Sequence, residues 1–173
     1  KKPSVTSLPL MEDFYTIQGD GFYQGRAAYF IRLGGRAVGC VWCDVKESWD
    51  ASALPLVSCQ DLADRAKSCG AQIVVITGGE PLMYDLTLLT ETLKASGLRS
   101  HLETSGAYPL TGRWDWVCFS PKKFKAPDPS IYEHADELKI IIYNKSDYEW
   151  AEDHASKVDS RCQLFLQPEW SRE

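Results

Sequence analysis

The sequence predicts a single α/β domain built around a parallel sheet. Short apolar runs alternate with amphipathic helical segments, and polar residues collect just beyond several of those runs. No low-complexity linker or sequence repeat divides the 173 residues, a length that suits one core spanning 1–173. The balance of 44% hydrophobic and 25% charged residues is that of an ordinary globular protein. A net charge of −5 offers phosphate backbones no general attraction, so no nucleic-acid partner is expected. No stretch approaches the ~20 apolar residues that span a bilayer, and the N-terminal residues lack the apolar run of a signal peptide. A cytoplasmic protein without a membrane partner is the expectation.

Taken in order, the first strand expected is Ala28–Leu33, a short and mostly apolar run. Ser58 then opens a helix as its N-cap, with Asp61 in the capping-box position and Gly70 as the stop. The run Ile73–Thr77 is continuous in β-branched residues, as a parallel strand buried on both faces should be. A helix over about Asp85–Ser96 places Leu86, Leu89 and Leu93 on one face and ends at Gly97. Further strands are expected at Ser100–Thr104, Trp116–Ser120, Leu138–Tyr143 and Gln163–Gln167. Ser146 and Glu149 read as a second capping box, for a helix reaching Lys157. The connections at 105–113 and 121–136 are rich in Pro and Gly and predict irregular paths.

Polar residues stand where these strands end: Thr77-Gly78-Gly79-Glu80, Glu103-Thr104-Ser105, Ser120-Pro121-Lys122 and Gln167-Pro168. In parallel α/β folds the loops beyond the strand C-termini make the active face, so four such ends predict a cleft for a polar small molecule. Of six cysteines, Cys59, Cys69, Cys118 and Cys162 lie in apolar surroundings where a thiol serves as a small buried hydrophobe. Cys40-Val41-Trp42-Cys43 is different. A bare CxxC reads as half a zinc site, a redox pair or part of an iron–sulfur cluster. The histidines at 101, 134 and 154 stand alone and read as structural or surface residues.

Context narrows the CxxC. Gln18-Gly19-Asp20-Gly21, then Arg32 in its strand, then Gly35 and Cys40-Val41-Trp42-Cys43-Asp44, resemble the N-terminal block of 7-carboxy-7-deazaguanine synthases. Thr77-Gly78-Gly79-Glu80-Pro81, Ser120-Pro121-Lys122 and Leu166-Gln167-Pro168 follow in that family's order, so the resemblance covers essentially the whole chain. It implies an incomplete β/α barrel of about six parallel strands, an enzyme of the radical S-adenosylmethionine superfamily, and a pterin substrate. That substrate is 6-carboxy-5,6,7,8-tetrahydropterin, rearranged to 7-carboxy-7-deazaguanine with loss of ammonia on the route to queuosine. The resemblance further implies a [4Fe–4S] cluster on Cys40 and Cys43, and S-adenosylmethionine contacts at Gly79, Ser120, Lys122 and Gln167. Substrate contacts fall at Ile17, Gln18, Gly19, Arg32 and Thr77. An external electron donor, Mg2+ and a homodimer complete what the resemblance implies; it assigns no catalytic side chain.

The chain departs from the family pattern in places. Arg36 occupies the position of the first cluster cysteine, and a guanidinium is cationic with no acceptor to offer iron. Another ligand would have to complete that corner, at lower affinity and with greater oxygen sensitivity. Val45 stands where many members carry a magnesium-binding threonine, and the family's C-terminal segment is expected to be absent after Glu173. Two other readings therefore stand beside the synthase. One is a cluster-free relative that binds S-adenosylmethionine or a pterin without turnover; the other is a zinc-bound or structural oligomer that keeps only the fold.

Overall fold

In the computed structural model, which describes residues 4–35 and 51–169, eight strands share one sheet in the order β3-β1-β2-β4-β5-β6-β7-β8. The strands are β1 (Ser7–Ile17), β2 (Ala27–Leu33), β3 (Leu56–Ser58), β4 (Ile73–Gly78), β5 (Arg99–Thr104), β6 (Trp116–Phe119), β7 (Glu137–Ile142) and β8 (Gln163–Pro168). Neighbours from β2 to β8 pair in parallel, which gives the six parallel strands expected, while β1 joins antiparallel to both β2 and β3. The sheet stays open between β3 and β8, as a partial barrel.

Strands β1 and β3 are not anticipated by the sequence pattern. Pro9, Glu12 and Asp13 interrupt any apolar run in β1, and a register shift between Leu10 and Glu12 breaks its alternation. β1 survives because an antiparallel strand can keep one face wet.

Helices α1 (Cys59–Ser68), α2 (Thr87–Ala95), α3 (Ile131–His134) and α4 (Ser146–Ala155) fill the connections. Ser58 caps α1 as expected, its Oγ accepting the Asp61 N–H at 3.1 Å. The second capping box does not form. Ser146 is already inside α4 and makes no cap bond, its hydroxyl going to Asn144 Oδ1 at 2.6 Å. Asp147 takes over the local role instead: its Oδ2 accepts the N–H groups of Tyr143 and Asn144, at 2.6 and 2.9 Å, while Oδ1 pairs with Lys123. No helix covers the β5–β6 connection, in keeping with the irregular path read there.

The strands divide their side chains by alternation. One face sends Ile31, Leu33, Val74, Ile76, Leu102 and Phe119 against Leu62, Leu89, Leu93 and Ala151 of the helices, all buried in one apolar cluster. A smaller cluster of Ala28, Phe30, Ile73 and Val75 lies on the opposite, inner face, packed with Phe14 and Tyr23. Above it that inner face turns polar. Among the described residues no helix is long and apolar enough to cross a membrane.

Candidate functional site

The polar part of the inner face is built from strand positions two residues apart. β2 supplies Arg32, β4 Thr77, β5 His101 and Glu103, and β7 Glu137 and Lys139. Arg32 and Thr77 are register partners across the β2–β4 pair. Glu103 gathers the neighbours: its Oε2 accepts the Thr77 hydroxyl at 3.1 Å and its Oε1 the Gln18 amide at 3.4 Å. The same Gln18 amide donates to Asp20 Oδ1 at 3.2 Å. Arg32 Nε lies 2.6 Å from Glu12 Oε1 but has no hydrogen-bond partner among the described residues, so the contact is an ion pair made off the N–H direction.

Gln18 and Asp20 belong to the turn between β1 and β2, which enters the sheet's concavity from the N-terminal ends of the parallel strands. Phe22 stacks on Trp116, the first residue of β6, at 4.9 Å between centroids; Tyr23 packs on His101 at 4.5 Å and meets Arg99 through its hydroxyl. These rings plug that end. The polar residues of the turn point past them to Glu103 and Lys139, and a small cavity of about 10 Å³, room for one water, remains between His101, Glu103 and Glu137.

At the other ends of the strands, the Gly78-Gly79-Glu80 turn closes against β2. Gly78 has φ +129°, and a Cβ there would lie 2.2 Å from the Leu33 carbonyl oxygen, so only glycine permits the approach. Gly79 N donates to Leu33 O at 3.1 Å and Glu80 N to Gly35 O at 3.3 Å, which ties this turn to the residue that leads into Arg36. Glu80 is buried, and its carboxylate accepts from Leu82 N, Thr104 Oγ1, Ser105 N and the Ser105 hydroxyl. It fixes the ends of β4 and β5 relative to each other. Ser120 N bonds to Thr104 O at 2.8 Å, and Lys122 Nζ reaches Ser120 Oγ at 3.3 Å, placing both beside the same rim.

Burial and charge tune these groups. For Lys139, burial opposes the ammonium form, but the carboxylates of Glu103 and Asp20 outweigh it and hold its pKa above the ordinary lysine range. Burial raises the Glu137 carboxyl, although bonds from the Trp116 indole and the Phe22 amide partly offset it. Burial pushes the Cys118 thiol well up, so it is a neutral lining group.

Of the expected substrate residues, the structure brings together Gln18 and Thr77 through Glu103, and Arg32 beside Thr77. Gly19 lies in the same turn, while the Ile17 side chain is exposed where β1 ends. Of the cofactor residues, Gly79, Ser120 and Lys122 line the rim at the ends of β4 and β6. Gln167 sits on the inner face of β8 opposite Ile141. Arg36, Cys40, Cys43 and Val45 lie outside the described residues. Cys69 is exposed rather than buried, because it is the C-cap of α1 and not part of its packed face. Sequence reasoning did not single out Glu103 or Lys139. Glu103 reads in the sequence only as one of several polar strand ends, and Lys139 interrupts an apolar strand, the one signal there of a buried partner. Among the described residues no group of three His, Cys, Asp or Glu side chains is placed to hold a metal.

Residues 37–119 match the model of the radical SAM superfamily. Over 165 residues the chain is 58% identical to a 7-carboxy-7-deazaguanine synthase of Flavobacterium psychrophilum, covering 95% of this chain and 78% of that protein. It is 50% identical over 169 residues to the 7-carboxy-7-deazaguanine synthase of Synechocystis sp., covering 98% and 81%. Among solved structures it resembles the crystal structure of QueE from Escherichia coli, with a TM-score of 0.87, 32% identity, and coverage of 96% of this chain and 85% of that one.

Proposed function

This chain belongs to the 7-carboxy-7-deazaguanine synthase family, and we propose that its inner face holds the pterin substrate while the strand-end rim holds S-adenosylmethionine. The family's reaction, conversion of 6-carboxy-5,6,7,8-tetrahydropterin to 7-carboxy-7-deazaguanine, is the activity read for the chain. One observation carries the substrate half: Glu103 draws Gln18 and Thr77 onto a single carboxylate, with Arg32 next to Thr77 in register. A guanidinium there suits a carboxylate, which it can meet with two parallel N–H bonds, and the neighbouring amide, hydroxyl and carboxylate suit the donor and acceptor edge of a pterin ring. Gln18 and Gly19 form the floor from below, and the aromatic plug beneath them excludes water from that side.

On the rim, Lys122 is a compact cation for the methionine carboxylate, with Ser120 as its polar neighbour. Gly79 lets backbone come close to the cofactor, and Gln167 contributes an amide from β8. The protein acts in the cytoplasm as a homodimer, with an external electron donor; Val45 argues against the threonine-type magnesium site.

The cluster is where this chain's residues do not fit. Cys40 and Cys43 supply two thiolates, and the third position of the family's ligand set is Arg36, which cannot bind iron. Turnover therefore needs another group at that corner or a cysteine at 36; without either, the chain binds its ligands without the full cluster. That second reading, binding without turnover, is favoured by Arg36 itself.

Anaerobic reconstitution with iron and sulfide tests both readings, on this chain and on Arg36→Cys. The expected result is about four irons per chain, the [4Fe–4S] stoichiometry, and release of 5′-deoxyadenosine from the cysteine variant only. A full, cleaving cluster in the chain as written would show that another group completes the ligand set. No cluster in either protein would sink the enzyme reading, and stoichiometric zinc at Cys40 and Cys43 would replace it with a structural one.

A further inference from the structure

Two buried charged groups on β7 are unused by the reading above. Glu137 is 4% exposed and the Lys139 side chain 11%, and their spacing puts both on the inner face. Both reach the same turn between β1 and β2. Lys139 Nζ donates to Asp20 Oδ1 at 3.1 Å and lies 3.9 Å from Glu103 Oε1. Glu137 Oε2 accepts the Phe22 N–H at 3.2 Å, and its Oε1 accepts the Trp116 indole N–H at 2.8 Å. Gly21 lies between these two anchor points with φ +74°, and a Cβ there would stand 2.1 Å from Glu137 Oε2. The turn is shaped to the carboxylate that holds it.

We propose that Glu137 and Lys139 are positioning residues, a two-point clamp on β7 that fixes the 18–22 turn so that Gln18 and Gly19 face the pterin. The inference rests on the pterin reading of the inner face. Phe22, Tyr23 and Trp116 already provide the apolar contacts that would seat a simple plug. Burying a carboxylate and an ammonium beside them costs desolvation, which is recovered only where their bonds are well made. What the pair adds is direction. Lys139 holds Asp20 and Glu103 on either side of the Gln18 amide, and Glu137 fixes the backbone two residues further on.

The test is made on the full chain by hydrogen exchange of the 18–26 segment and by calorimetric binding of 6-carboxypterin. Lys139→Met removes a charge-assisted bond, so it is expected to speed exchange in that segment and to weaken the pterin, each about tenfold. Exchange in α1 and α2 stays at the parent rate. Lys139→Arg keeps the charge and restores both readouts to within about threefold, well short of the loss of a charged bond. Should Lys139→Met fail to fold, Glu137→Gln serves in its place. Its amide keeps the volume but turns one acceptor into a donor facing an N–H, and it should loosen the same segment. Unchanged exchange in 18–26 overturns the clamp. Faster exchange with unchanged pterin affinity overturns its role in the substrate site. If the parent chain binds no 6-carboxypterin, the pterin reading fails and the exchange data alone decide whether the clamp exists.

Discussion

His101 is a base held where it cannot easily take a proton. It is 4% exposed on the inner face of β5, packed on Tyr23, with Nε2 lacking a partner among the described residues. Burial, with Arg99 and Arg26 nearby and Asp115 opposing them, lowers its pKa to about 4. The unfolded chain binds this proton near the ordinary value of about 6.5. Between those two values the unfolded state holds more protons than the folded one, so stability falls as pH is lowered from about 6.5 toward 4. The shift corresponds to roughly 3 kcal/mol once the window is crossed. Urea unfolding at pH 7, 6 and 5 should show this decline, and His101→Phe should flatten it. His154, also lowered by burial, titrates alike in both proteins, so the difference between the two profiles belongs to His101. Equal slopes would show that His101 is protonated in the folded protein.

At the scale of the element, legibility followed physical locality. Helix α1 could be read because its signals are its own: Ser58 before it, Leu62, Ala63 and Ala66 on its buried face, Gly70 after it. Ser58→Ala should cost about 1 kcal/mol, the worth of an N-cap bond, measured as a shift in the urea midpoint with unchanged slope. A negligible change would mean that water replaces the serine at no loss. Strands β2 and β4 are equally plain, since burial on both faces writes a mostly apolar run. β1 was hidden because its stability comes from pairing with β2 and β3 and not from its own pattern. The start of α4 misled for a related reason, because Asp147 reaches back to the backbone and to Lys123, contacts that a local capping rule does not contain. The site divides the same way. Strand-end polar residues marked the rim, whereas the floor comes from a turn entering at the opposite ends of the strands. Only the family resemblance pointed to Gln18 and Gly19, and neither pattern nor resemblance singled out Glu103 or Lys139.

Over the whole molecule, the proposed rim joins strands that are not neighbours. β4 and β6 are separated by β5, and β6 and β8 by β7, so the sheet's hydrogen bonds connect these ends only through intermediates. A ligand touching Gly79, Lys122 and Gln167 would bridge them directly, and opening at any one strand would release it. Binding of this kind stabilises the native state by mass action, about 2.7 kcal/mol at a ligand concentration one hundred times Kd. For a chain of this size that is a rise in Tm of roughly 5–10 °C. S-adenosylmethionine added to the chain as it stands is therefore expected to raise Tm in a concentration-dependent way. Lys122 is partly exposed, so Lys122→Ala should leave the unliganded Tm within about 2 °C, as for most surface changes. It should lower the ligand-induced rise by more than half, because the carboxylate loses its cation. A rise of the same size in the variant would remove Lys122 from the cofactor site while leaving Ser120 and Gln167 to be tested in turn. No rise in either protein would mean that the iron corner, which Arg36 disrupts, supplies most of the affinity, and the same titration on reconstituted Arg36→Cys would then decide the role of Lys122.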